Sequence, residues 1–529
     1  MSTSPWWHDA AIYQIYPRSF MDADGNGVGD LAGITRRLDH LVELGLGALW
    51  LSPIFTSPMA DFGYDVADYR GIDPLFGDMA AFDRLLAEAH ARGLKLLLDF
   101  VPNHSSDQHP WFAQSRGSRD NPRRNWYIWH DPAPGGGPPN NWQSNFGGSA
   151  WTLDEATGQY YHHAFLAAQP DLNWRNPHLR AAMLDTLRFW LDKGVDGFRV
   201  DVIWHLIKDA ALRDNPPNPA YAPGQPDIQR YLQLHSADQP EVHEVITEMR
   251  GVIDSYPDRL LIGEIYLPVE RLMTYYGREG SGVHLPFNFQ LIQAPWHADA
   301  IGALIAEYEG ALPEGGWPNW VLSNHDQPRI AARVGEAQAR VAAMLLLTLR
   351  GTPTLYYGDE IGIADVTIPA GQAQDPAAIN EPGVSFNRDR ARSPMQWSPD
   401  PQAGFSGTEP WLPLTDDWAT RNVAVQQGEP ESMLALHRAL LRLRAAEPAL
   451  RTGAYNQLDA GAGILAYIRG ERMAVVLNLT AEALPLHLPI GWRDAQVLLA
   501  ASGAPAAGTA PATLAGDEGL VLKLGDAAR

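Results

Sequence analysis

The chain has 529 residues, which is too many for one ordinary domain and suits a large barrel with one or two additional domains. Its hydrophobic content of 45% and charged content of 19% are typical of a soluble globular protein. The formal net charge of −22 disfavours binding to nucleic acid or anionic lipid, because such a surface repels polyanions. The chain contains no cysteine, which excludes disulfides, thiolate nucleophiles and cysteine metal sites.

Apolar runs typical of buried strands alternate with amphipathic helical stretches along most of the chain. Helices are predicted around Ile34–Leu44 and at Met79–Arg92, among others. Strands that alternate with helices predict an α/β fold, a (β/α)₈ TIM barrel, whose strands are apolar on both covered faces. The eight predicted strands are Ala11–Tyr16, Ala48–Pro53, Leu94–Val101, Gly197–Val202, Leu260–Ile265, Leu285–Phe289, Trp320–Ser323 and Thr352–Tyr357.

Three connections are too long to be simple loops between a strand and a helix. Residues 103–174 are rich in Trp, Gly, Pro and Asn, and we expect them to form an irregular insertion domain after the third strand. A second insertion spans residues 204–241, and a third runs from residue 362 to about residue 420. Long loops at the carboxyl ends of barrel strands usually carry function.

The residues after Gly453 predict short strands with turns, and hence a C-terminal antiparallel β domain of sandwich-like character. The expected boundaries are 1–103 and 175–450 for the barrel, 104–174 for the insertion domain and 451–529 for the C-terminal domain. No signal peptide is visible, and the most apolar stretch, residues 341–349, is too short to span a bilayer. Together with the absence of disulfides, this predicts a cytoplasmic protein with neither a membrane nor a nucleic acid as partner.

Four predicted strands end in a polar, mostly acidic cluster. Because parallel barrel strands present their carboxyl ends on one face, Asp201, Glu264 and Asp326 can converge there. Retaining cleavage of a glycosidic bond needs two carboxyl groups about 5–5.5 Å apart, and neighbouring strands lie roughly 4.8 Å apart. Asp201 would be the nucleophile and Glu264 the general acid, whereas Asp326 would bind sugar hydroxyls and stabilise positive charge. Arg199, on the same side of its strand as Asp201, would keep Asp201 ionised.

These motifs, in the order in which they occur, resemble those of glycoside hydrolase family 13, the α-amylase family. The segment from Gln169 to Asn173 resembles the version in the oligo-1,6-glucosidase and α-glucosidase branch. The resemblance covers essentially the whole chain and is greatest to bacterial α-glucosidases of the Thermus and Deinococcus kind. The segments that carry it are Trp6–Phe20, Asp99–His104, Gly197–Asp201, Glu264–Tyr266, Asn324–Asp326 and Arg392–Trp397.

The resemblance also implies substrate-binding residues around the glucose that is cleaved. Tyr64 would be the platform under that sugar. Asp65 and Arg392 would pair, close the pocket floor and grip the non-reducing end, with Arg388 a nearby competitor for the arginine's role. A closed floor implies exo-acting cleavage of short α-glucosides. The remaining implied contacts are His104, Phe165, Arg199 and His325.

Val202, beside the expected nucleophile, bears on linkage preference. In this branch, Val at the position resembles enzymes that accept α-1,6 bonds, whereas Thr usually accompanies α-1,4 preference. An apolar side chain there gives a sugar hydroxyl nothing to bond with. The alternative is that Val202 is only a strand-forming residue at a strand end.

An acidic, glycine-rich loop spans residues 22–30 and predicts a structural cation. Oxygen ligands at alternate positions suit a hard ion such as Ca²⁺, with Mg²⁺ as an option, although the loop lacks the closing Glu of an EF-hand. An Asx-turn loop without metal is the alternative. The histidines do not suggest a catalytic metal, and no other cofactor is expected. By resemblance, the ligands are Asp22, Asp24, Asn26, the Val28 carbonyl and Asp30.

Two other functions remain open at this point. A transglucosylase, or a sucrose or trehalose isomerase, would use the same glucosyl-enzyme intermediate and the same residues. A non-catalytic partner protein built on this barrel would have lost active-site carboxylates, which are all present here. The main expectation is a retaining α-glucosidase that acts on a small oligosaccharide or disaccharide.

Overall fold

The structure, a computed structural model, describes residues 4–503 and 508–525. Eight parallel strands close into a barrel, which confirms the predicted (β/α)₈ fold. The first strand pairs with the second and also with the eighth, so the sheet has no free edge. In chain order the barrel strands are Ile12–Ile15, Ala48–Leu51, Lys95–Phe100, Gly197–Val200, Leu260–Ile265, Leu285–Asn288, Asn319–Val321 and Thr352–Tyr356.

Helices surround the barrel and commonly begin at a polar capping residue. Asp78, for example, accepts a hydrogen bond from the N–H of Ala81 and starts the helix Met79–Ala91. The helix expected around Ile34–Leu44 is interrupted at Arg37, whose ψ of 6° separates two shorter helices. The α-helices are Leu31–Arg36, Leu38–Leu44, Met79–Ala91, Pro110–Gly117, Pro177–Asp192, Val242–Asp254, Val269–Met273, Gln290–Gln293, Ala298–Ala311, Ile330–Thr348, Pro376–Asn380, Val423–Gln427, Met433–Ala446 and Pro448–Thr452.

The three long connections follow the third, fourth and eighth barrel strands, so all of them lie over the carboxyl face of the barrel. The first contains one helix and a three-stranded antiparallel sheet of Trp129–His130, Trp151–Asp154 and Gln159–His162. The second contains only 3₁₀ turns, and the third adds the short helix Pro376–Asn380. A two-stranded sheet, Phe55–Thr56 with Asp68–Ile72, follows the second barrel strand.

The C-terminal residues form an antiparallel β domain, as the sequence predicts. Alternate side chains of one strand serve two cores: Leu465 and Tyr467 pack into the barrel's core, whereas Ile464 and Ala466 line the domain's own core. In the described part of the chain, no helix is both long and apolar enough to cross a membrane. The main sheet has the order Tyr455–Leu458, Ile464–Arg469, Met473–Asn478, Gly519–Lys523 and Gln496–Ala500, and Leu484–Pro485 pairs with Thr513–Leu514.

Candidate active site

The three carboxylates line one cavity of about 590 Å³ at the carboxyl ends of the barrel strands. Asp201 directly follows the fourth strand, Glu264 lies near the end of the fifth, and Asp326 follows the seventh. The N–H of Asp201 donates to the carbonyl of Phe100 at 2.8 Å, which ties this position to the neighbouring strand. Parallel strands therefore bring together three acids that are far apart in sequence.

A fully buried guanidinium, that of Arg199, holds two of these carboxylates. Its Nη1 lies 2.6 Å from Asp201 Oδ1, and its Nη2 lies 2.9 Å from Glu264 Oε2. Asp99, at the end of the third strand, contacts the same Nη1 at 2.9 Å from its Oδ1. Both carboxylates also line the same cavity, so Asp201 and Glu264 face a common space rather than away from each other.

Asp201 and Glu264 lie in the same buried, acidic environment. Burial raises the pKa of both carboxyl groups, Arg199 opposes that rise, and the charge of neighbouring carboxylates adds to it. A raised pKa keeps the proton on a carboxyl group up to a higher pH, which is the property that a general acid needs.

Asp326 behaves differently, because positive groups surround it. Burial alone would raise its pKa, but the guanidinium groups of Arg388 and Arg392, at 3.3 and 2.8 Å from Oδ1, outweigh that effect and hold the pKa well below its usual range. The His325 ring is itself kept neutral, since burial lowers its pKa well below the ordinary value. Asp326 is thus held as an anion beside two carboxyl groups whose pKa values are raised.

Val202, the residue after Asp201, adopts a left-handed backbone conformation with φ 34° and ψ 47°. This conformation is rare for a β-branched residue and costs about 1–3 kcal/mol. It is accompanied by a functional contact: the N–H of Val202 donates to Glu264 Oε2 at 2.8 Å. The strained turn therefore connects the backbone beside Asp201 with the carboxylate of Glu264.

The expected ion pair between Asp65 and Arg392 is wrong. Asp65 is buried in its own loop, where its carboxylate accepts hydrogen bonds from the Ser57 hydroxyl and the Asp61 N–H. Burial raises the pKa of Asp65 to about 6. Asp61 occupies the expected position instead: its carboxylate lies 2.8 Å from Arg388 Nη2, and both residues line the cavity.

Arg392 lies behind Asp326 rather than in the cavity lining. Its Nη2 donates to Asp326 Oδ1 at 2.8 Å, and its Nε donates to the carbonyl of His325 at 2.8 Å. Arg388, which the sequence marks as a competitor, reaches Asp326 Oδ1 at 3.3 Å and is anchored by Asp375 at 2.7 Å. Arg388 therefore joins Asp61 to Asp326 across one end of the cavity.

The other expected substrate-binding residues divide into lining and supporting groups. Tyr64, His104, Phe165 and Val202 line the cavity. Burial lowers the pKa of His104 to about 4, so the ring is neutral. His325 stacks on Tyr64 at 5.3 Å with an interplanar angle of 3°, and its Nε2 lies 2.6 Å from the tyrosine hydroxyl. Like Arg199, it supports lining residues from behind.

Several lining residues are not identified by the sequence reasoning. Gln327 and Tyr266 each lie within two residues of an expected catalytic acid, and that proximity is a usable signal. The others come from irregular loops, where residue spacing predicts no direction for a side chain. The additional lining residues are Asp61, Asn145, Phe146, Trp204, His205, Ile228, Gln229, Gln233, Tyr266, Gln293 and Gln327.

A buried ion pair joins the insertion domain to the second insertion beside the cavity. Lys208 Nζ lies 2.5 Å from Asp171 Oδ2 and donates to Asn103 Oδ1 at 2.7 Å. Asn103 Nδ2 lies 3.1 Å from Nδ1 of the cavity residue His104. Burial alone would raise the pKa of Asp171, but Lys208 and His162 outweigh it and lower the pKa far below its usual value.

The predicted cation loop gathers three carboxylates. Oxygen atoms of Asp22, Asp24 and Asp30 lie within 4.8 Å of one another, a spacing that suits ligands around one hard cation with bonds of about 2.3–2.6 Å. Asn26 lies in the same loop, where its side-chain oxygen accepts a hydrogen bond from the Val28 N–H at 2.8 Å. The all-oxygen donor set fits Ca²⁺ or Mg²⁺ chemically.

Comparison with known protein families shows which family the chain belongs to. Residues 14–453 match the model "Alpha amylase, catalytic domain", and residues 451–521 match a domain of unknown function, DUF3459. The chain belongs to the α-amylase family, glycoside hydrolase family 13. It is therefore a member of a family of glycoside hydrolases, and its carboxylate-lined cavity occupies the carboxyl face of the family's catalytic barrel.

Relatives of this family member carry names that refer to α-glucosides. It is 42% identical over 505 residues to a probable alpha-glucosidase of Rhizobium meliloti, covering 92% of this chain and 91% of that protein. It is 39% identical over 528 residues to an oligo-1,6-glucosidase of Halalkalibacterium halodurans, covering 92% and 93% of the two chains.

Two solved structures extend the comparison. The alpha-glucosyl transfer enzyme XgtA has a TM-score of 0.93 and 40% identity, covering 99% of this chain and 100% of that one. The trehalulose synthase MutB of Pseudomonas mesoacidophila has a TM-score of 0.89 and 36% identity, again covering 99% and 100%. The same architecture thus occurs in proteins named as an alpha-glucosyl transfer enzyme and as a trehalulose synthase.

We expect the buried Lys208–Asp171 pair to control stability. Asp171→Asn should lower the free energy of unfolding at pH 7 by about 3–5 kcal/mol, because it leaves Lys208 buried and unpaired. Adding Lys208→Met should restore much of the loss. Because the folded-state pKa of Asp171 is depressed, its contribution is full above the unfolded pKa of about 3.9 and declines as the pH falls below it.

Denaturant unfolding of the three proteins from pH 7 to pH 3 measures this contribution. The advantage of the unmodified protein over Asp171→Asn should shrink below about pH 4. A pH-independent difference, or a double variant less stable than Asp171→Asn alone, would contradict the ion-pair account.

Proposed function

We propose that the protein is an exo-acting retaining α-glucosidase that releases glucose from the non-reducing end of short α-glucosides, with α-1,6 or α-1,4 linkage or both. The observation that carries the proposal is the pairing of Asp201 and Glu264 on Arg199 inside a cavity bounded by Asp61 and Arg388. The α-glucosidase and oligo-1,6-glucosidase names of its relatives support the same activity. We also propose that the protein is most similar to bacterial α-glucosidases of the Thermus and Deinococcus kind and that it is located in the cytoplasm.

In the first step, a carboxylate oxygen of Asp201 forms a bond to the anomeric carbon as the bond to the leaving oxygen breaks. Glu264 gives its proton to that oxygen, so the leaving sugar departs as a neutral alcohol. Arg199 keeps both carboxyl groups aligned during the exchange of charge. In the second step, Glu264 takes a proton from water, whose oxygen attacks the anomeric carbon and releases Asp201.

Asp326 supports these steps through charge rather than proton transfer. Its carboxylate remains ionised beside the sugar ring, where positive charge develops in the oxocarbenium-like transition state. Asp61 and Arg388 close the same end of the cavity, which supports binding of a terminal glucose only. Tyr64 and Phe165 supply flat aromatic surfaces beside that sugar.

Transfer of glucose to a second sugar is the alternative activity. The observation that favours it is the amide-rich lining of the cavity, because amide side chains can hold a sugar acceptor in place of water. XgtA and MutB, whose names refer to glucosyl transfer and trehalulose synthesis, share the architecture. The amides concerned are Asn145, Gln229, Gln233, Gln293 and Gln327. A non-catalytic role is disfavoured, because all three carboxylates face the cavity.

We also propose a structural Ca²⁺, or Mg²⁺, in the loop after the first barrel strand. Asp22, Asp24, Asn26 and Asp30 would hold it with side-chain oxygens, and Val28 with its carbonyl. The loop contacts the third long connection, where the Ser406 hydroxyl donates to Asp22 Oδ2 at 2.6 Å. A cation there would stabilise the junction and would take no part in bond breaking.

The catalytic assignment predicts the activity of two variants. Asp201→Ala should abolish release of p-nitrophenol from its α-glucoside, since no nucleophile remains. Glu264→Gln should lower kcat/KM on a disaccharide by about 10²–10⁴-fold, because a poor leaving group depends on the proton. The exposed Glu307→Gln is the matched control. Proton NMR should detect α-glucose as the first product, and β-glucose as the first product would contradict the retaining mechanism.

Linkage preference should respond to Val202→Thr. Threonine keeps the β-branched shape but adds a hydroxyl that can bond to the leaving sugar, an interaction of about 1 kcal/mol. We expect the ratio of kcat/KM on isomaltose to that on maltose to fall about fivefold, with Val202→Ile as the apolar control. Unmodified enzyme that strictly prefers maltose, or an unchanged ratio in Val202→Thr, would contradict the proposed role.

The metal proposal predicts a stability change. A Ca²⁺ concentration 100-fold above the Kd should add about 2.7 kcal/mol to the free energy of unfolding, seen as a higher Tm that chelator reverses. Asp24→Ala should remove the response, whereas the exposed Asp120→Ala should retain it. A Tm that neither Ca²⁺, Mg²⁺ nor chelator changes would favour a loop without metal.

A further inference from the structure

Three loops meet over the mouth of the cavity, one from each long connection. The insertion domain contributes Phe146, the second insertion contributes the 3₁₀ turn Asp227–Arg230, and the third contributes the helix Pro376–Asn380 with Glu381 after it. Phe146 and two residues of the turn, Ile228 and Gln229, line the cavity. Contacts among these loops therefore determine the shape of the cavity mouth.

Glu381 makes the central contact and is only 9% exposed. Its Oε1 accepts a hydrogen bond from the Asp227 N–H at 2.8 Å, and its Oε2 accepts one from the Ser385 hydroxyl at 2.6 Å. The neighbouring Asn380 donates through Nδ2 to the carbonyl of Phe146 at 3.0 Å. Two adjacent residues thus tie the third loop to the other two.

A glycine permits this arrangement. A Cβ placed on Gly147 would lie 2.7 Å from Cγ of Glu381, so only a residue without a side chain lets the glutamate pack against the insertion-domain backbone. Gly147 also has a φ of +87°, a conformation that other residues rarely adopt. The local backbone is therefore suited to receive Glu381.

The segment that Glu381 holds carries polar groups toward the substrate. Gln229 and Gln233 line the cavity on the side of Trp204 and Tyr266, which follow Asp201 and Glu264 closely in sequence. Within the described residues, Gln233 Oε1 and Trp204 Nε1 are buried and have no hydrogen-bond partner. These two atoms leave an unused acceptor and an unused donor in residues that line the cavity, and sugar hydroxyls both donate and accept hydrogen bonds.

We infer that Glu381 is a specificity-determining positioning residue that fixes the Asp227–Arg230 turn over the leaving-group sugar, so that disaccharides are favoured over longer substrates. The inference rests on the proposed α-glucosidase function. Glu381 acts through the turn and does not contact the reacting atoms. With the turn fixed, Gln229 and Gln233 meet the second sugar, and the turn limits the room for a third.

Two pairs of variants test the contact from both sides. Asp227→Pro removes the N–H that donates to Glu381, together with the aspartate side chain. The turn should tolerate it, since proline suits the first position of a helical turn and Pro226 before it already has φ −53° and ψ 142°. Asp227→Ala is its control, because it keeps the N–H and loses the same side chain, including its contact with Arg230. Glu381→Ala removes the acceptor, and Glu381→Gln preserves one.

The measured quantity is the ratio of kcat/KM on a trisaccharide to that on the disaccharide of the same linkage, for the maltose and the isomaltose series. We expect the ratio to rise about fivefold in Asp227→Pro and Glu381→Ala, and to stay within twofold of the unmodified enzyme in Asp227→Ala and Glu381→Gln. Hydrolysis of p-nitrophenyl α-glucoside, whose leaving group needs no sugar contacts, should stay within twofold in all four.

Amide hydrogen exchange gives a readout that does not depend on turnover. Residues 227–233 should exchange faster in Asp227→Pro and Glu381→Ala than in their controls. An unchanged ratio together with unchanged exchange would overturn the inference, as would an equal change in Asp227→Ala. If exchange responds but the unmodified protein hydrolyses no α-glucoside, the proposed function fails, and the specificity role of Glu381 fails with it.

Discussion

The active site depends on one buried cation, the guanidinium of Arg199. It has no exposed surface, and it holds Asp201, Glu264 and Asp99 from three neighbouring strands. Three carboxylates around a single positive charge leave an excess of negative charge in a region with little water. Burial and this excess of negative charge both raise the pKa of Asp201 and the pKa of Glu264.

The charge balance around Asp326 is different, because two guanidinium groups are present there instead of one. Asp326 has two arginines within 3.3 Å of one oxygen, and Asp61 and Asp375 balance one of them, Arg388. One carboxyl group is thus held ionised, while the pKa values of its neighbours are raised. Carboxyl groups of similar chemistry thus acquire different roles through their partners, which lie on different strands and loops.

The sequence was informative where regular structure sets direction and uninformative where turns do. The three acids follow apolar parallel strands, so their convergence follows from the barrel alone. Asp61 and Asp65 lie four residues apart in a loop, and the positive φ of 51° at Phe62 and 107° at Gly63 reverses the chain between them. Which of the two acids faces Arg388 depends on that reversal, and no periodicity in the sequence reports it.

The contacts that join the loops were equally hidden from sequence reasoning. Lys208 meets Asn103 from 105 positions away, and Glu381 meets Asp227 from 154 positions away. The Lys208–Asn103 contact holds the second insertion close to the barrel. The Glu381–Asp227 contact joins the same insertion to the third long connection near the cavity mouth. Residue types and spacing indicate neither, because each depends on how two irregular segments fold against a common surface.

Closure of the barrel has a consequence for how the protein is made. Ile12 in the first strand is paired with Thr354 in the eighth. On a ribosome, the first strand must wait with one unpaired edge until about two thirds of the chain has been synthesised. Such an exposed edge is prone to pairing with other chains, so the rate of translation and the presence of chaperones should affect the yield of active protein more than its final stability does.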